Sequence, residues 1–170
     1  MPGACSLAVN IGLRVSNLSF ELIPVDYKSQ TLPDGSDYHL VNPAGIVPTL
    51  QLDDGSCLSE VIAIYYYLEM RDGNTNLLGM IGNRQQAIES LSFVATEIHK
   101  SFSPLFRSDT PIAFHQPGKK HLLKRLVILE QTLVNQIYLV GNSPTAADYY
   151  LFTLCRWLPD VNLDINDLPN

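Results

Sequence analysis

The sequence predicts a two-domain protein, in which a mixed α/β domain is followed by an all-helical domain. In residues 1–72 the apolar positions recur partly at helical and partly at strand spacing, whereas from Asn83 onward they recur at helical spacing alone. The Gly- and Asn-rich stretch 72–82 separates the two patterns and has the composition of a loop. The predicted domains are therefore residues 1–72 and residues 83–170.

The first domain is predicted to begin with a helix and an edge strand. Helical spacing predicts the helix over residues 4–15, and the apolar residues that carry it are Leu7, Ala8, Ile11 and Val15. Alternating apolar residues predict a strand over residues 20–25. Pro24 lies within this strand and cannot donate a ladder hydrogen bond, so the strand is expected at the edge of a sheet. Residues 28–43 are rich in Ser, Asp, Gly and Pro and are predicted to form an irregular loop.

The domain continues with a predicted hairpin and a second helix. Residues 45–52 and 56–59 have strand character, and the turn signal Asp-Asp-Gly at 53–55 lies between them. Ser59 is a good N-cap for a helix over residues 60–71. This helix is apolar almost all round, so we expect it to be buried on most of its surface.

The second domain is predicted to begin with a long helix. Asn83 and Gln86 fit an N-terminal box, and a core-facing stripe follows: Ile88, Leu91, Ala95, Ile98 and Phe102. A polar stripe lies beside it and is expected to face a wet cleft: Glu89, Ser92, Thr96 and His99. A helix over residues 119–135 has a leucine seam, and Thr145 with Asp148 forms a capping box before a buried helix that extends to Leu158.

Composition excludes several classes of protein. A hydrophobic fraction of 46% is ample for packed cores, yet the longest apolar stretch, Val61–Leu68, is far shorter than the roughly 20 residues that span a bilayer. The first residues carry no secretion signal, so we expect a cytoplasmic protein without a membrane partner. A net charge of -6 opposes binding to nucleic acid.

The cysteines and histidines argue against a disulfide framework and a metal site. Cys5, Cys57 and Cys155 lie far apart and form no C-x-x-C motif, which suits a reducing compartment. The four histidines show neither H-E-x-x-H nor zinc-ligand spacing. No metal cofactor is therefore predicted.

Cys5 is the first candidate for chemistry. It lies at the predicted start of a helix, where unpaired N–H groups and the helix dipole stabilise an anion, so its thiolate should be favoured. Each pKa unit by which such an environment shifts a thiol corresponds to about 1.4 kcal/mol. The alternative is that Cys5 is a small apolar residue that fills space.

Three further positions have two interpretations each. Glu60 is either a first-turn acid that complements the helix dipole or a carboxylate that binds a ligand ammonium. His99 is either a structural residue or, because it lies on the polar stripe beside Lys100, a site residue. Val47-Pro48 interrupts a strand, and a bend there, for example at a cis peptide, would expose the Val47 backbone to an extended peptide ligand.

Six short motifs occur in register along nearly the whole chain. They are Pro2-Gly3-Ala4-Cys5-Ser6-Leu7, Asn42-Pro43-x-Gly45-x-Val47-Pro48, Leu52-Asp53-Asp54-Gly55, Ser59-Glu60, Thr96-Glu97-x-His99-Lys100 and Thr145-x-x-Asp148. No single motif is specific, but the set resembles the beta-class bacterial glutathione transferases. The resemblance implies a thioredoxin-like N-terminal domain, an all-α C-terminal domain and glutathione, as co-substrate, bound in the cleft between them.

The resemblance also implies roles for individual residues. Cys5 and His99 match the catalytic positions, Cys5 being the cysteine that contacts the glutathione sulfur and can form a mixed disulfide with it. Val47 matches the residue whose backbone pairs with glutathione, and Glu60 matches the acid that binds the glutamyl ammonium. The remaining implied glutathione contacts are Ser6, Pro48 (the family's cis-proline), Val61, Thr96 and Lys100. Thr145 and Asp148 match a structural folding box.

Several features depart from the family pattern. Val61 stands where a small or hydroxyl residue is usual and offers only its backbone N–H to the glutamyl carboxylate. Gln30 and Ser92 stand where relatives often have Lys and Asn. Compared with the family, the chain is expected to lack the first strand, because only Met1 precedes Pro2, and the last helices.

The predicted function is transfer of the glutathione thiolate to small electrophiles, or its exchange with disulfides, in a homodimeric detoxification enzyme. The alternative is a non-catalytic binding or interaction protein with the transferase fold, favoured by the missing strand and by Val61. A cysteine hydrolase that uses Cys5 and His99 would need an oxyanion hole, and the sequence offers no candidate for one.

Overall fold

The computed structural model describes residues 3–73, 75–164, 166 and 168, which form two compact units divided between Thr75 and Asn76. Pro2, the first residue of the first motif, lies outside the described residues. The first unit contains α1 (Ser6–Val15), the strands β1 (Thr49–Gln51) and β2 (Cys57–Ser59), and α2 (Val61–Asp72). The second contains α3 (Arg84–Phe93), a π-helical segment (Val94–His99), α4 (Lys100–Phe106), α5 (His115–Leu133) and α6 (Ala146–Cys155). Short 3-10 turns occur at Tyr38–Leu40, Ile112–Phe114 and Pro159–Val161.

Helices α1 and α2 pack together in the first unit. Ala8, on the buried face of α1, accepts a hydrogen bond at its carbonyl oxygen from the hydroxyl of Tyr65 on α2, at 2.5 Å. Gly12 lies directly against the Tyr65 ring, so that a β-carbon at this position would collide with it. The pair fixes the start of α1, which carries Cys5, relative to α2.

The predicted hairpin is confirmed, although its strands are short. β1 and β2 pair antiparallel with Leu50 opposite Leu58, and Gly55, at a φ of 85°, allows the tight turn between them. The first strand begins at Thr49 and not at residue 45, because the preceding Pro48 has no N–H to donate to a ladder. The last residue of β2 is followed directly by Glu60 and α2.

Three expectations for the first unit are wrong. Residues 20–25 form no strand, and Leu22 and Ile23 are 58% and 54% exposed, because no described segment pairs with them. Helix α2 is buried on one face only: Tyr66 and Met70 are 55% and 65% exposed although the sequence is apolar all round. Its N-cap residue is Glu60 and not Ser59, since Glu60 is the last residue with non-helical backbone angles.

The second unit is helical, as predicted, and α3, the π-helical segment and α4 form one continuous run. This run carries the predicted core stripe, of which Leu91, Ile98 and Phe102 are fully buried. The predicted leucine seam lies on α5, where Leu122, Leu126 and Leu129 are buried. The Thr145–Asp148 capping box is present at the start of α6. The box at Asn83 is wrong, because the Asn83 side chain makes no cap hydrogen bond. No helix within the described residues is long and apolar enough to cross a membrane.

Candidate functional site

The thiol of Cys5 and the backbone of Val47 are in direct contact in the first unit. Cys5 is the N-cap residue of α1, and its Sγ donates a hydrogen bond to the carbonyl oxygen of Val47 at 3.1 Å. The cysteine is 9% exposed. Deprotonation of the sulfur would remove this bond and leave the Val47 carbonyl without that donor. Two residues that lie 42 positions apart are thus brought together.

A network of buried polar groups holds the loop that presents Val47. The Tyr38 hydroxyl lies 2.8 Å from the carbonyl oxygen of Ile46 and 2.7 Å from Oγ1 of Thr49. The side-chain amide of Asn42 donates to the same two oxygens, at 2.9 and 3.0 Å. Both Tyr38 and Asn42 are buried, so these bonds are shielded from competing water. They hold the Ile46 carbonyl before, and the Thr49 side chain after, Val47 and Pro48, whose peptide bond is cis.

Glu60 has an unusual backbone conformation at the junction between β2 and α2. Its φ is 71°, in the region that favours glycine, and its side chain is exposed and makes no cap hydrogen bond. Such a conformation costs on the order of 1–3 kcal/mol in a residue with a β-carbon, and it occurs most often at functional positions. Val61, the first residue of α2, has a buried side chain, and its N–H is one of the helix donors without an intrahelical partner.

The other predicted contacts of the first unit lie beside these groups in sequence. Ser6 is the first residue of α1 and is partly exposed, directly after Cys5. Pro48 follows Val47 and is also partly exposed. Neither side chain makes a described hydrogen bond that would assign it a role.

The second unit holds His99 against two aromatic side chains. Its Nδ1 lies 2.5 Å from the hydroxyl of Tyr150 on α6, and the two rings meet edge to face at 5.6 Å. The ring of Trp157 lies 5.3 Å from the imidazole. Burial lowers the pKa of His99 to about 4, with a further contribution from the neighbouring Lys100 charge. His99 is therefore a neutral imidazole at pH 7.

Lys100 and Thr96 lie on the same helical run as His99. The Lys100 side chain is exposed, and no described residue forms an ion pair with it. Thr96 donates its hydroxyl to the carbonyl oxygen of Ser92 at 2.9 Å, so its proton is used within the helix. The π-helical segment that ends at His99 is also tied to α5, where Arg125 Nε lies 2.9 Å from Oε2 of Glu97. π-helical turns inside α-helices are frequent at functional sites.

The described residues contain no group of three side chains that could hold a metal ion. Burial raises the pKa of the Cys155 thiol to about 11. Cys155 therefore remains a protonated thiol at neutral pH.

Comparison with known proteins identifies the family. The model of the glutathione S-transferase N-terminal domain matches residues 3–71, and the model of the C-terminal domain matches residues 93–170. Together they account for most of the chain. The chain belongs to the glutathione S-transferase family.

Relatives and solved structures agree with this assignment. The chain is 43% identical to the glutathione S-transferase GstA of Escherichia coli O157:H7 over 98% of its length and 84% of the relative. Among solved structures, a sphingomonad glutathione S-transferase complexed with glutathione matches with a TM-score of 0.92 at 34% identity. A beta-class glutathione S-transferase of Sphingomonas chungbukensis matches equally well, and both alignments cover 99% of this chain and 85% of the other. The transferase fold, a thioredoxin-like domain followed by a helical domain, is thereby confirmed.

Sequence analysis did not find the residues whose side chains bond to the candidate site: Tyr38, Asn42 and Tyr150. Tyr38 and Tyr150 occupy ordinary positions in a loop and in an apolar helix, and Tyr150 lies 51 positions from His99. Asn42 opens one of the motifs, but nothing in its local sequence indicates that it bonds to Ile46. These partners depend on tertiary packing, for which a single sequence of this transferase carries no periodic signal.

Proposed function

We propose that this chain is an active beta-class glutathione transferase that binds glutathione in an extended conformation along Val47, with the glutathione sulfur near Cys5. The observation that supports the proposal best is the hydrogen bond between the Cys5 thiol and the Val47 carbonyl. This bond places the Cys5 sulfur directly beside the Val47 backbone, and the residues on both sides of Val47 are held by hydrogen bonds. An extended peptide can pair with such a segment as an added strand.

In this proposal the glutamyl end of the tripeptide meets complementary charge at the junction before α2. In this proposal the exposed Glu60 carboxylate binds the glutamyl ammonium, and the N–H of Val61 donates to the glutamyl carboxylate. The positive end of the α2 dipole favours that carboxylate. The strained backbone of Glu60 supports a binding role, because a first-turn acid that served only the helix dipole would not need a positive φ.

The transferred group is the glutathione thiolate. Its sulfur forms a bond to an electrophilic carbon of a small second substrate while the leaving group departs with the electron pair, and the thiol proton passes to solvent. Cys5 supports the disulfide reaction: its sulfur attacks a glutathione disulfide, a mixed disulfide forms, and glutathione leaves as the thiolate. We assign His99 and Lys100, with Thr96 and Ser6 as further contacts, to the same reaction, and no metal takes part.

The test uses two assays on the purified protein. We expect conjugation of glutathione to an activated aryl halide and reduction of a glutathione mixed disulfide. A folded sample that catalyses neither reaction would contradict the transferase proposal. Retention of that sample on immobilised glutathione would then favour the non-catalytic binding protein.

We also propose that the protein works as a homodimer in the cytoplasm. An exposed apolar depression of about 680 Å³ on the first unit supports the dimer: its walls include Tyr66 and Met70 of α2. Tyr66 and Met70 are 55% and 65% exposed, and a dimer through this face would cover them. Light scattering should give the mass of a dimer, and Met70→Glu should give a monomer. A monomeric wild-type protein would overturn the proposal.

A further inference from the structure

Tyr150 and His99 form a contact that the roles assigned above do not use. Tyr150 is 2% exposed and lies on α6, whereas His99 ends the π-helical segment, so the contact joins two separate helices of the second unit. The hydroxyl oxygen lies 2.5 Å from Nδ1. The two atoms are therefore within hydrogen-bonding distance.

A neutral imidazole has one N–H and one bare nitrogen, so the direction of this bond determines the tautomer of His99. The bare imidazole nitrogen is far more basic than a phenol oxygen, and the phenol O–H is the more acidic donor. The bond is therefore strongest when Tyr150 donates its proton to Nδ1. In that arrangement the proton of the imidazole lies on Nε2.

The packing around the ring leaves one nitrogen for a ligand. Trp157 lies against the ring at 5.3 Å and Tyr150 occupies Nδ1, whereas no described residue hydrogen-bonds Nε2. His99 is also only partly buried. Burial and the Lys100 charge disfavour the imidazolium. The ring is therefore neutral at pH 7, and it must be in one of its two tautomers.

We propose that Tyr150 is a positioning residue, which holds His99 in the Nε2–H tautomer so that this N–H is available as a hydrogen-bond donor to an anionic ligand group. The inference rests on the proposed function, which assigns His99 to the transfer reaction. His99 thereby acts as a neutral donor and not as a base. Tyr150 acts only through His99 and does not contact the substrate.

The first test needs no variant. The protein is labelled with ¹⁵N at histidine, and long-range ¹H–¹⁵N NMR spectra are recorded at pH 7 without glutathione. We expect the His99 spectrum to show a protonated Nε2 and a bare Nδ1. A spectrum with the proton on Nδ1 would overturn the proposal, whether or not the protein is a transferase.

The second test compares two hydroxyl deletions on the same helix. Tyr150→Phe should convert His99 to a mixture of tautomers and lower kcat for conjugation about tenfold, with KM for glutathione within twofold, because the hydrogen bond to Nδ1 is lost. The matched control is Tyr149→Phe, which removes a hydroxyl that bonds no described residue and should leave both the tautomer and kcat unchanged. An unaltered His99 tautomer in folded Tyr150→Phe, or an equal loss of kcat in the control, would contradict the positioning role. If the wild type shows the expected tautomer but no conjugation, the proposed function fails and the pairing of Tyr150 with His99 stands.

Discussion

Around Cys5 the first unit presents backbone groups held by a hydrogen-bonded loop, whereas around His99 the second unit presents a side chain held by packed aromatic rings. The loop near Val47 depends on the buried polar groups of Tyr38 and Asn42. The imidazole depends on Tyr150 and Trp157. A backbone edge suits recognition of any extended peptide, and a fixed side chain suits a single directed hydrogen bond. We therefore expect substitutions in the first unit to change glutathione binding, and substitutions around His99 in the second unit to change turnover.

The largest expected effect is on stability and concerns the capping box of α6 in the second unit. Asp148 accepts hydrogen bonds from the Thr145 N–H and hydroxyl and from the N–H of buried Leu139. Asp148→Ala should lower the free energy of unfolding by about 3 kcal/mol, because bonds to a charged acceptor are lost and buried donors are stranded. Urea unfolding measures the change. Asp160→Ala removes an exposed acid and should cost little. Equal losses in the two variants would mean that the capping box is not a structural support.

The pH dependence of stability tests the burial of His99. Its pKa falls from 6.5 to about 4 on folding, so the unfolded chain binds the proton more tightly. This contribution to stability is complete above pH 6.5 and is lost as the pH falls towards 4. At about 1.4 kcal/mol per pKa unit, and with allowance for solvent at the exposed part of the ring, we expect a loss of roughly 2 kcal/mol.

His99→Gln is the control for this effect, because glutamine does not titrate. Its unfolding free energy should fall less steeply than that of the wild type across the same pH interval. Parallel curves for the two proteins would show that His99 titrates normally and is not held as a neutral ring.

Glu60→Gln tests binding at the first unit. Replacement of the carboxylate by an amide removes the charge that attracts the glutamyl ammonium, and we expect a loss of affinity of about tenfold, measured by calorimetry with glutathione. Glu21→Gln changes the net charge equally at an exposed position and should bind as the wild type does. If Glu21→Gln lowered the affinity for glutathione and Glu60→Gln did not, the glutamyl ammonium would bind at another part of the surface.

The smallest effect tests the loop that presents Val47. Tyr38→Phe keeps the ring and removes the hydroxyl that bonds Ile46 and Thr49, so unfolding should cost about 1 kcal/mol less and KM for glutathione should rise a few-fold. Tyr27→Phe, in an exposed part of the same loop, is the control and should change neither quantity. A change in kcat alone would contradict the view that this region acts in binding.

The sequence predicted the second unit better than the first for a physical reason. Helices bury a periodic face, so the stripes through Leu91, Ile98 and Phe102 and the capping box at Thr145 were visible in the chain itself. A strand needs a second strand to pair with. Residues 20–25 have the alternation of a strand, but no described segment pairs with them. The helix at 61–72 is apolar almost all round, so its pattern did not indicate that Tyr66 and Met70 lie outside.

For the candidate site, the sequence supplied the residues but not the geometry. Helix position drew attention to Cys5, and the proline drew attention to Val47, but their contact at 3.1 Å depends on a loop closed by Tyr38 and Asn42. The interpretation of Cys5 as a residue at a helix start is correct, since it caps α1. Its bond to a carbonyl oxygen could not be predicted, because the acceptor Val47 lies 42 positions away.

The cysteines allow the most direct test of the account, because accessibility and site chemistry predict different outcomes. Cys57 is exposed, Cys5 is largely buried, and burial keeps Cys155 protonated. The native protein would be treated with oxidised glutathione, digested and mapped by mass spectrometry. We expect a glutathione mixed disulfide on Cys5 at early times, lost in Cys5→Ser, because bound glutathione is held beside that sulfur. A first adduct on Cys57, with Cys5 unmodified, would contradict it.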